Sequence, residues 1–259
     1  MILFLAGTSD ARALALQLKD AGYPLLTTVV TENAGKEMKK AGLDVLVGRL
    51  TSDDFTSLIT AKNLKMVVDA SHPFAEEASK QARKGAIAAN VPYIRYERES
   101  QSFPNKNITL VESYDKAAEL AAEKQGVIML TTGSKTLQIF TEKLLSLPNT
   151  RVIARMLPRK DNMEKCEALG LPQKDIVAIQ GPFTKEFNLA LYKQYGVTTM
   201  ITKESGKVGS VDEKLDAALE LDIQTIMIQR PKIDYGSTFS TFQEILHTVE
   251  THVSIRNHV

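Results

Sequence analysis

The sequence predicts an α/β protein of two domains, each a parallel sheet joined by crossover helices. Three observations carry this reading. Short apolar runs alternate with amphipathic segments along the 259 residues, a polar stretch near the middle interrupts the alternation, and the two halves repeat a pattern of strand, glycine turn and helix. Strands of a parallel sheet are buried on both faces and read as nearly continuous apolar runs. Each needs a helical crossover to reach the next, so runs and helices must alternate.

In the first half the apolar runs place strands at residues 2–6, 25–30, 44–47, 66–69 and 92–95, with helices starting near Asp10, Ala34, Ser52 and Ala75. The stretch "YERESQSFPNKNITLVES" then carries a proline and neither helical nor strand period, which marks a junction near residues 99–107. The expected domains are therefore 1–104 and 105–259. Beyond the junction strands are expected at 127–131, 152–155, 176–179, 198–202 and 225–228, and a last helix at 241–249.

The halves echo each other. "ILFLAGTSDARAL" resembles "VIMLTTGSKTLQIF", and later "VVDASHPFAEEASKQA" resembles "IVAIQGPFTKEFNLAL". Pro73 and Pro182 each stand at a strand-to-helix junction, where the first helical turn tolerates a missing N–H. Two Rossmann-like sheets of this kind would present their carboxyl edges to a shared ligand cleft, the usual binding edge of open α/β sheets.

Composition excludes several classes. Hydrophobic residues make up 43% of the chain, enough for a core in each domain. The net charge of +1 gives no general basic field, so neither nucleic acid nor an anionic membrane is an expected partner. Cys166 is the single cysteine and reads as a packed thiol; no internal disulfide and no spaced set of metal ligands is present. The apolar run at 2–6 is broken by Gly7, far short of the roughly 20 residues that span a bilayer, and a cytoplasmic location is expected.

Candidate site residues lie at the carboxyl ends of the strands. In "LFLAGTSDARAL" a glycine turn leads into a helix whose free N–H groups and dipole suit phosphate, with Gly7 allowing close approach. The full G-x-G-x-x-G fingerprint is absent and Asp10 also suits a helix cap, so a phosphate site and a bare turn both remain open. Glu32 is read at the end of the second strand, where a carboxylate accepts from the adenosine ribose. In "DASHPFA" Asp69 and Ser71 can cap a helix, while His72 has the side-chain pKa of a proton donor near neutral pH. "TKESGKVGSVDEKLDAALEL" offers Lys203 and Ser205 at a strand end, with Lys214 expected to face water from its helix. Arg155 ends another strand, and Gly133 and Ser134 form the second glycine turn.

Together, "GTSDAR", "DASHPFA", "ARMLP", "QGPF" and "TKESGKVGSVDEKLDAA" resemble, in order and over nearly the whole chain, the precorrin-6A reductase family of corrin biosynthesis. Gly7, Thr8, Ser9, Asp10 and Arg12 match the family's first turn, where Ala6 replaces a glycine; Asp69, His72, Pro73 and Phe74 match a second motif, with Ser71 for threonine; Lys203, Ser205 and Gly206 match a third. The resemblance implies hydride transfer from NADH or NADPH to one double bond of a tetrapyrrole in cobalamin biosynthesis, without a protein-bound metal. The cofactor would lie on Gly7, Thr8, Ser9, Asp10, Arg12, Glu32, Asp69 and Ser71. His72, Lys203 and Ser205 would serve catalysis. The carboxylate arms of the substrate call for Arg95, Arg98, Arg155 and Lys207, beside Gly133, Ser134 and Gly206. Glu32 favours NADH, since a carboxylate there repels a 2′-phosphate. Metal-free and cobalt-bearing substrates are not separated by these motifs. A generic dehydrogenase is disfavoured by the lack of Tyr-x-x-x-Lys, and a nucleotide-sensing module would have no use for polar residues on both domains.

Overall fold

A computed structural model describes residues 1–98, 105–204 and 212–253. The chain divides into two compact units, Met1–Glu99 with Pro231–Val259, and Ser100–Arg230. The expected second domain of 105–259 is thus corrected at its far end: the last segment rejoins the first unit.

The first unit contains β1 (Ile2–Leu5), α1 (Ser9–Asp20), β2 (Leu25–Val29), α2 (Glu32–Lys40), β3 (Val45–Val47), α3 (Ser52–Ala61), β4 (Val67–Asp69), α4 (Glu76–Ala88) and β5 (Tyr93–Tyr96). The second contains β6 (Ile108–Val111), α5 (Tyr114–Lys124), β7 (Gly126–Leu130), α6 (Leu137–Leu144), β8 (Thr150–Met156), α7 (Lys160–Ala168), β9 (Ile176–Ala178), α8 (Lys185–Tyr195), β10 (Thr199–Lys203), α9 (Glu213–Glu220) and β11 (Gln224–Ile228). β12 (Thr238–Phe239) and α10 (Phe242–His252) complete the first unit.

Each unit holds one six-stranded sheet, in the orders β12-β5-β4-β1-β2-β3 and β6-β11-β10-β7-β8-β9, and every pairing is parallel. The five central strands follow one order in both units, so β1 corresponds to β7 and β4 to β10. The first echo in the sequence, β1–α1 with β7–α6, is therefore a repeat of topology; the second is not, because Val67–Asp69 is β4 while Ile176–Ala178 is β9, which holds the place of β3. A sixth strand extends each sheet beside its fifth, drawn from the chain after it in the first unit and before it in the second.

Strand periodicity assigns the layers. Ile2 and Phe4 of β1 face α1 and α10, where Leu14, Leu18, Ile245 and Val249 are buried; Leu3 and Leu5 face α3 and α4, among Phe55, Ile59, Ala82 and Ala86. In the second unit Met129, Ile153, Met200 and Met227 pack with Tyr192 of α8 and Leu215 of α9. Gly85 allows α3 and α4 to approach closely, since a Cβ there would stand 2.5 Å from Phe55 Cβ. Hydroxyl N-caps fix many helix starts: Thr8, Thr31, Thr51, Ser113, Thr184 and Thr241 each accept from a backbone N–H of the first turn, worth about 1 kcal/mol apiece. Pro73 and Pro182 stand ahead of α4 and α8 rather than in their first turns. Cys166 is buried as expected, its thiol against Met156. Among the described residues no helix is long and apolar enough to cross a membrane.

Candidate functional site

At the carboxyl edge of the first sheet the strand ends line a cavity of about 290 Å³. β1 contributes Ala6 and Gly7, β2 leads to Val30 and Thr31, β3 to Gly48 and Arg49, and β4 to Ser71 and His72. Since the strands lie in the order β4-β1-β2-β3, these residues run in a row across the sheet from His72 to Arg49.

Gly7 is the pivot of the row. Its φ of +154° is one that L side chains rarely adopt, and a Cβ there would meet nothing within 4 Å, so the backbone lies bare toward open space. α1 starts two residues later, with Thr8 as N-cap. Open backbone, a helix N-terminus and an adjoining cavity suit a pyrophosphate group. Ala6 does not spoil this, because its side chain joins the core with Phe4 and Ala11.

Arg98 secures the turn from β5. It is buried, donates to both carboxylate oxygens of Asp10 (2.7 Å to Oδ1) and to Thr8 Oγ1 (2.7 Å), and stacks 5.3 Å from the Tyr96 ring centroid. Burial alone would raise the Asp10 carboxyl pKa; hydrogen bonds from Arg98 and Thr8 outweigh it and hold the carboxyl below its ordinary value.

A second buried network lies beneath His72. Asp69 is fully buried and accepts from Arg95 Nη1 at 2.8 Å, from the Tyr93 hydroxyl at 2.6 Å and from the Ser71 backbone N–H at 2.9 Å. Arg95 Nε donates to Glu97, and its guanidinium lies 4.8 Å from the Tyr235 ring centroid. Desolvation opposes the Asp69 charge, but Arg95 and the surrounding hydroxyls keep its carboxyl below the usual range. Arg95 and Asp69 therefore shape the Ser71–His72 turn from below rather than lining the cavity, a correction to their expected ligand contacts. Above them the Phe74 backbone N–H donates to His72 Nδ1 at 3.1 Å. In the neutral ring this leaves the proton on Nε2, so His72 presents a donor.

Three other expectations shift. Glu32 is not at a strand end: β2 closes at Val29, and Glu32 is the exposed first residue of α2, off the cavity wall. Arg12 turns to Glu37 of α2, 3.6 Å away, and Ser9 opens α1 beside the cavity without lining it. Arg49 was missed. It follows Gly48 at the end of β3, lines the cavity, and makes no hydrogen bond or ion pair among the described residues. "VGRLTS" repeats the strand–glycine–hydroxyl pattern of the first turn, a signal sufficient to have found it.

In the second unit the matching edge carries Gly133 after β7, Arg155 in β8 and Lys203 in β10. Gly133 has φ +80°, and the Ser134 hydroxyl bonds Asn162 Oδ1. Arg155 is buried, donates to Asn188 Oδ1 at 2.6 Å and lies 4.7 Å from the Phe183 ring centroid. It has no carboxylate within ion-pair distance among the described residues. Burial pushes the Lys203 ammonium down, reinforced by Lys214 and Lys135. Lys214, expected to face water, is half-buried in the first turn of α9, held to Asp212 at 3.0 Å. Ser205, Gly206 and Lys207 lie outside the described residues. No three His, Cys, Asp or Glu side chains group as metal ligands among the described residues.

Fold and edge residues define an α/β protein of two parallel-sheet units, with a glycine turn into a helix beside a cavity at the head of the first. The chain belongs to the family described as precorrin-6x reductase CbiJ/CobK, whose model matches residues 1–250. It is 65% identical over 249 residues to a cobalt-precorrin-6A reductase of Priestia megaterium, covering 96% of this chain and 98% of that one. A cobalt-precorrin-6A reductase of Methanocaldococcus jannaschii is 35% identical over 247 residues (95% and 96%), and a precorrin-6A reductase of Rhodococcus erythropolis 28% over 234 residues (90% of each). A solved structure titled CobK precorrin-6A reductase shares the fold, with a TM-score of 0.77 at 22% identity over 97% of this chain and 96% of its own.

Proposed function

We infer that the protein is a cobalt-precorrin-6A reductase of cobalamin biosynthesis, reducing cobalt-precorrin-6A to cobalt-precorrin-6B with a reduced nicotinamide cofactor. The observation that carries this is the 65% identity, end to end, with a protein named for that activity. The metal-free substrate is the second reading, favoured only by the more distant relatives at 28% and 26%.

The cofactor fits the first unit. Gly7 and the N-terminus of α1 would receive its pyrophosphate, Val30, Thr31 and Arg49 would flank its adenosine, and the nicotinamide would reach toward Ser71 and His72. When bound, the cofactor supplies the hydride. The chain supplies position and a proton. His72, with Nε2–H as donor, and Lys203, whose ammonium yields its proton more readily than an ordinary lysine, are the groups proposed to protonate the neighbouring carbon. Hydride to one carbon and proton to the next together saturate one double bond.

Arg155 is the proposed anchor for a substrate carboxylate: a buried guanidinium with one neutral hydrogen-bond partner gains most from an anionic ligand. Lys203 and Lys214 add positive charge at the same sheet edge. NADH is the proposed cofactor on the carboxylate of Glu32, which stands in the first turn of α2 off the cavity wall; Arg49, on that wall, is the group a 2′-phosphate would meet.

The test is an anaerobic assay of nicotinamide oxidation with cobalt-bearing and metal-free precorrin-6A in parallel. Turnover of the cobalt substrate is expected; turnover of the metal-free substrate alone would assign the second reading, and no turnover of either would reject both.

A further inference from the structure

The start of α1 presents an electrostatic conflict. Asp10 is its second residue, so a carboxylate stands in the first turn of the helix that follows Gly7 of the cavity wall. Acidic residues there favour the helix dipole, but they repel an anionic ligand approaching the same N–H groups. A turn serving only the helix would need nothing more. This one has a buried arginine brought from 88 residues further along the chain, forked onto both oxygens of that carboxylate. The same guanidinium also donates to Thr8, the N-cap, and at 3.5 Å to the Ser71 carbonyl oxygen, so it spans the β1–α1 and β4–α4 turns. Arg98 does not itself line the cavity.

We propose that Arg98 is a positioning residue for the cofactor: it neutralises Asp10 and pins Thr8, so that the α1 N-terminus accepts a pyrophosphate that the free carboxylate would repel. This rests on the reading that the Gly7 turn holds the nicotinamide cofactor. In this role Arg98 acts through Asp10 and Thr8. Two features separate charge compensation from a purely structural brace. Repulsion by an uncovered Asp10 is screened by salt, whereas a collapsed turn is not. Repulsion also disappears when the carboxylate itself is removed, whereas a lost brace is not mended by removing its partner.

The experiment measures NADH binding by calorimetry at low and high ionic strength for the wild type, Arg98→Met, Asp10→Asn, the double variant and Arg98→Lys. Arg98→Met should bind on the order of tenfold more weakly at low salt, with the deficit shrinking at high salt. The double variant should bind within about threefold of Asp10→Asn alone, and Arg98→Lys, which keeps the charge, should stay within about threefold of wild type. A loss that is independent of salt and not recovered by Asp10→Asn would overturn the proposal, as would Arg98→Met binding like wild type. Should Arg98→Met fail to fold, Arg98→Lys decides the matter against Asp10→Asn: a salt-independent loss in Arg98→Lys rejects charge compensation. Failure of the wild type to bind NADH or NADPH would strike the cofactor reading instead, and the inference would fall with it.

Discussion

The Arg155 guanidinium lies over the ring of Phe183, 4.7 Å from its centroid, with Asn188 holding one of its nitrogens and no carboxylate within reach among the described residues. Stacking and the neutral Asn188 acceptor fix its plane, and the proposal that its charge meets a substrate carboxylate can be tested directly. Arg155→Ala is therefore expected to raise the substrate KM by about 10- to 100-fold, the range for a hydrogen bond to a charged group, with the NADH KM unchanged. Steady-state kinetics with each substrate varied in turn checks this; a rise in the NADH KM alone would move Arg155 to the cofactor.

Substitution of His72 separates chemistry from binding. His72→Ala is expected to slow single-turnover hydride transfer by about 10- to 100-fold, less than the loss of a sole general acid, while cofactor affinity holds. Full single-turnover activity would leave His72 a wall of the cavity and put proton delivery on Lys203.

Gly7→Val joins two penalties. A side chain at φ +154° strains the backbone, and its bulk enters the space over the turn. Cofactor affinity should fall beyond detection while the melting temperature drops only modestly, because no neighbour is displaced. Calorimetry and thermal melting on the same sample check both; unchanged affinity would make the turn structural only.

Burial makes Asp69 a stability residue. Asp69→Ala strands the buried Arg95 charge with Glu97 alone and is expected to cost about 3–5 kcal/mol in urea unfolding. The sign with pH follows from the lowered carboxyl pKa: the folded state prefers the charged form, so the wild-type advantage is complete above the unfolded pKa of about 3.9 and shrinks as acid protonates the group. Unfolding at several pH values should show a plateau from neutral pH down to about 5 and a decline below it. An advantage growing toward low pH would refute the assignment.

Cofactor choice is tested at two residues, Arg49 on the cavity wall and Glu32 off it in the first turn of α2. With NADH preferred, Glu32→Ala combined with Arg49 kept should shift kcat/KM toward NADPH, and Arg49→Ala should affect NADPH far more than NADH. A tenfold native preference for NADPH at one ionic strength would pass the ribose from Glu32 to Arg49.

Most of the sheet was legible because parallel strands buried on both faces are written as apolar runs; ten of the twelve strands among the described residues fall where such runs stand. The two that were not are edge strands: β6 leaves Thr109 and Leu110 exposed between half-buried Ile108 and buried Val111, and β12 has two residues, so neither shows a run or an alternation. At the site, Gly7, Ser71 and His72 were readable from strand-end position. Arg95 and Arg98 were expected to meet the substrate and Asp69 the cofactor, but a sequence cannot tell a charge held for a ligand from one held by another charge 26 or 88 residues away. Glu32 was displaced because β2 ends at Val29 and Thr31 caps the helix, a boundary that apolar Val30 conceals.

The return of the chain to its first unit has a bearing on synthesis. Strand β12 closes one edge of the first sheet, and Ile245 and Val249 of α10 fill the core beneath Ile2 and Phe4. The amino-terminal sheet thus has a gap that only the segment after residue 230 can fill, whereas residues 100–230 form a contiguous body that is complete earlier. Vectorial folding usually favours whichever domain emerges first. Here the order is inverted: the later-emerging unit is the first able to finish, and a nascent chain arrested near residue 230 would carry a settled second unit behind an unfinished first.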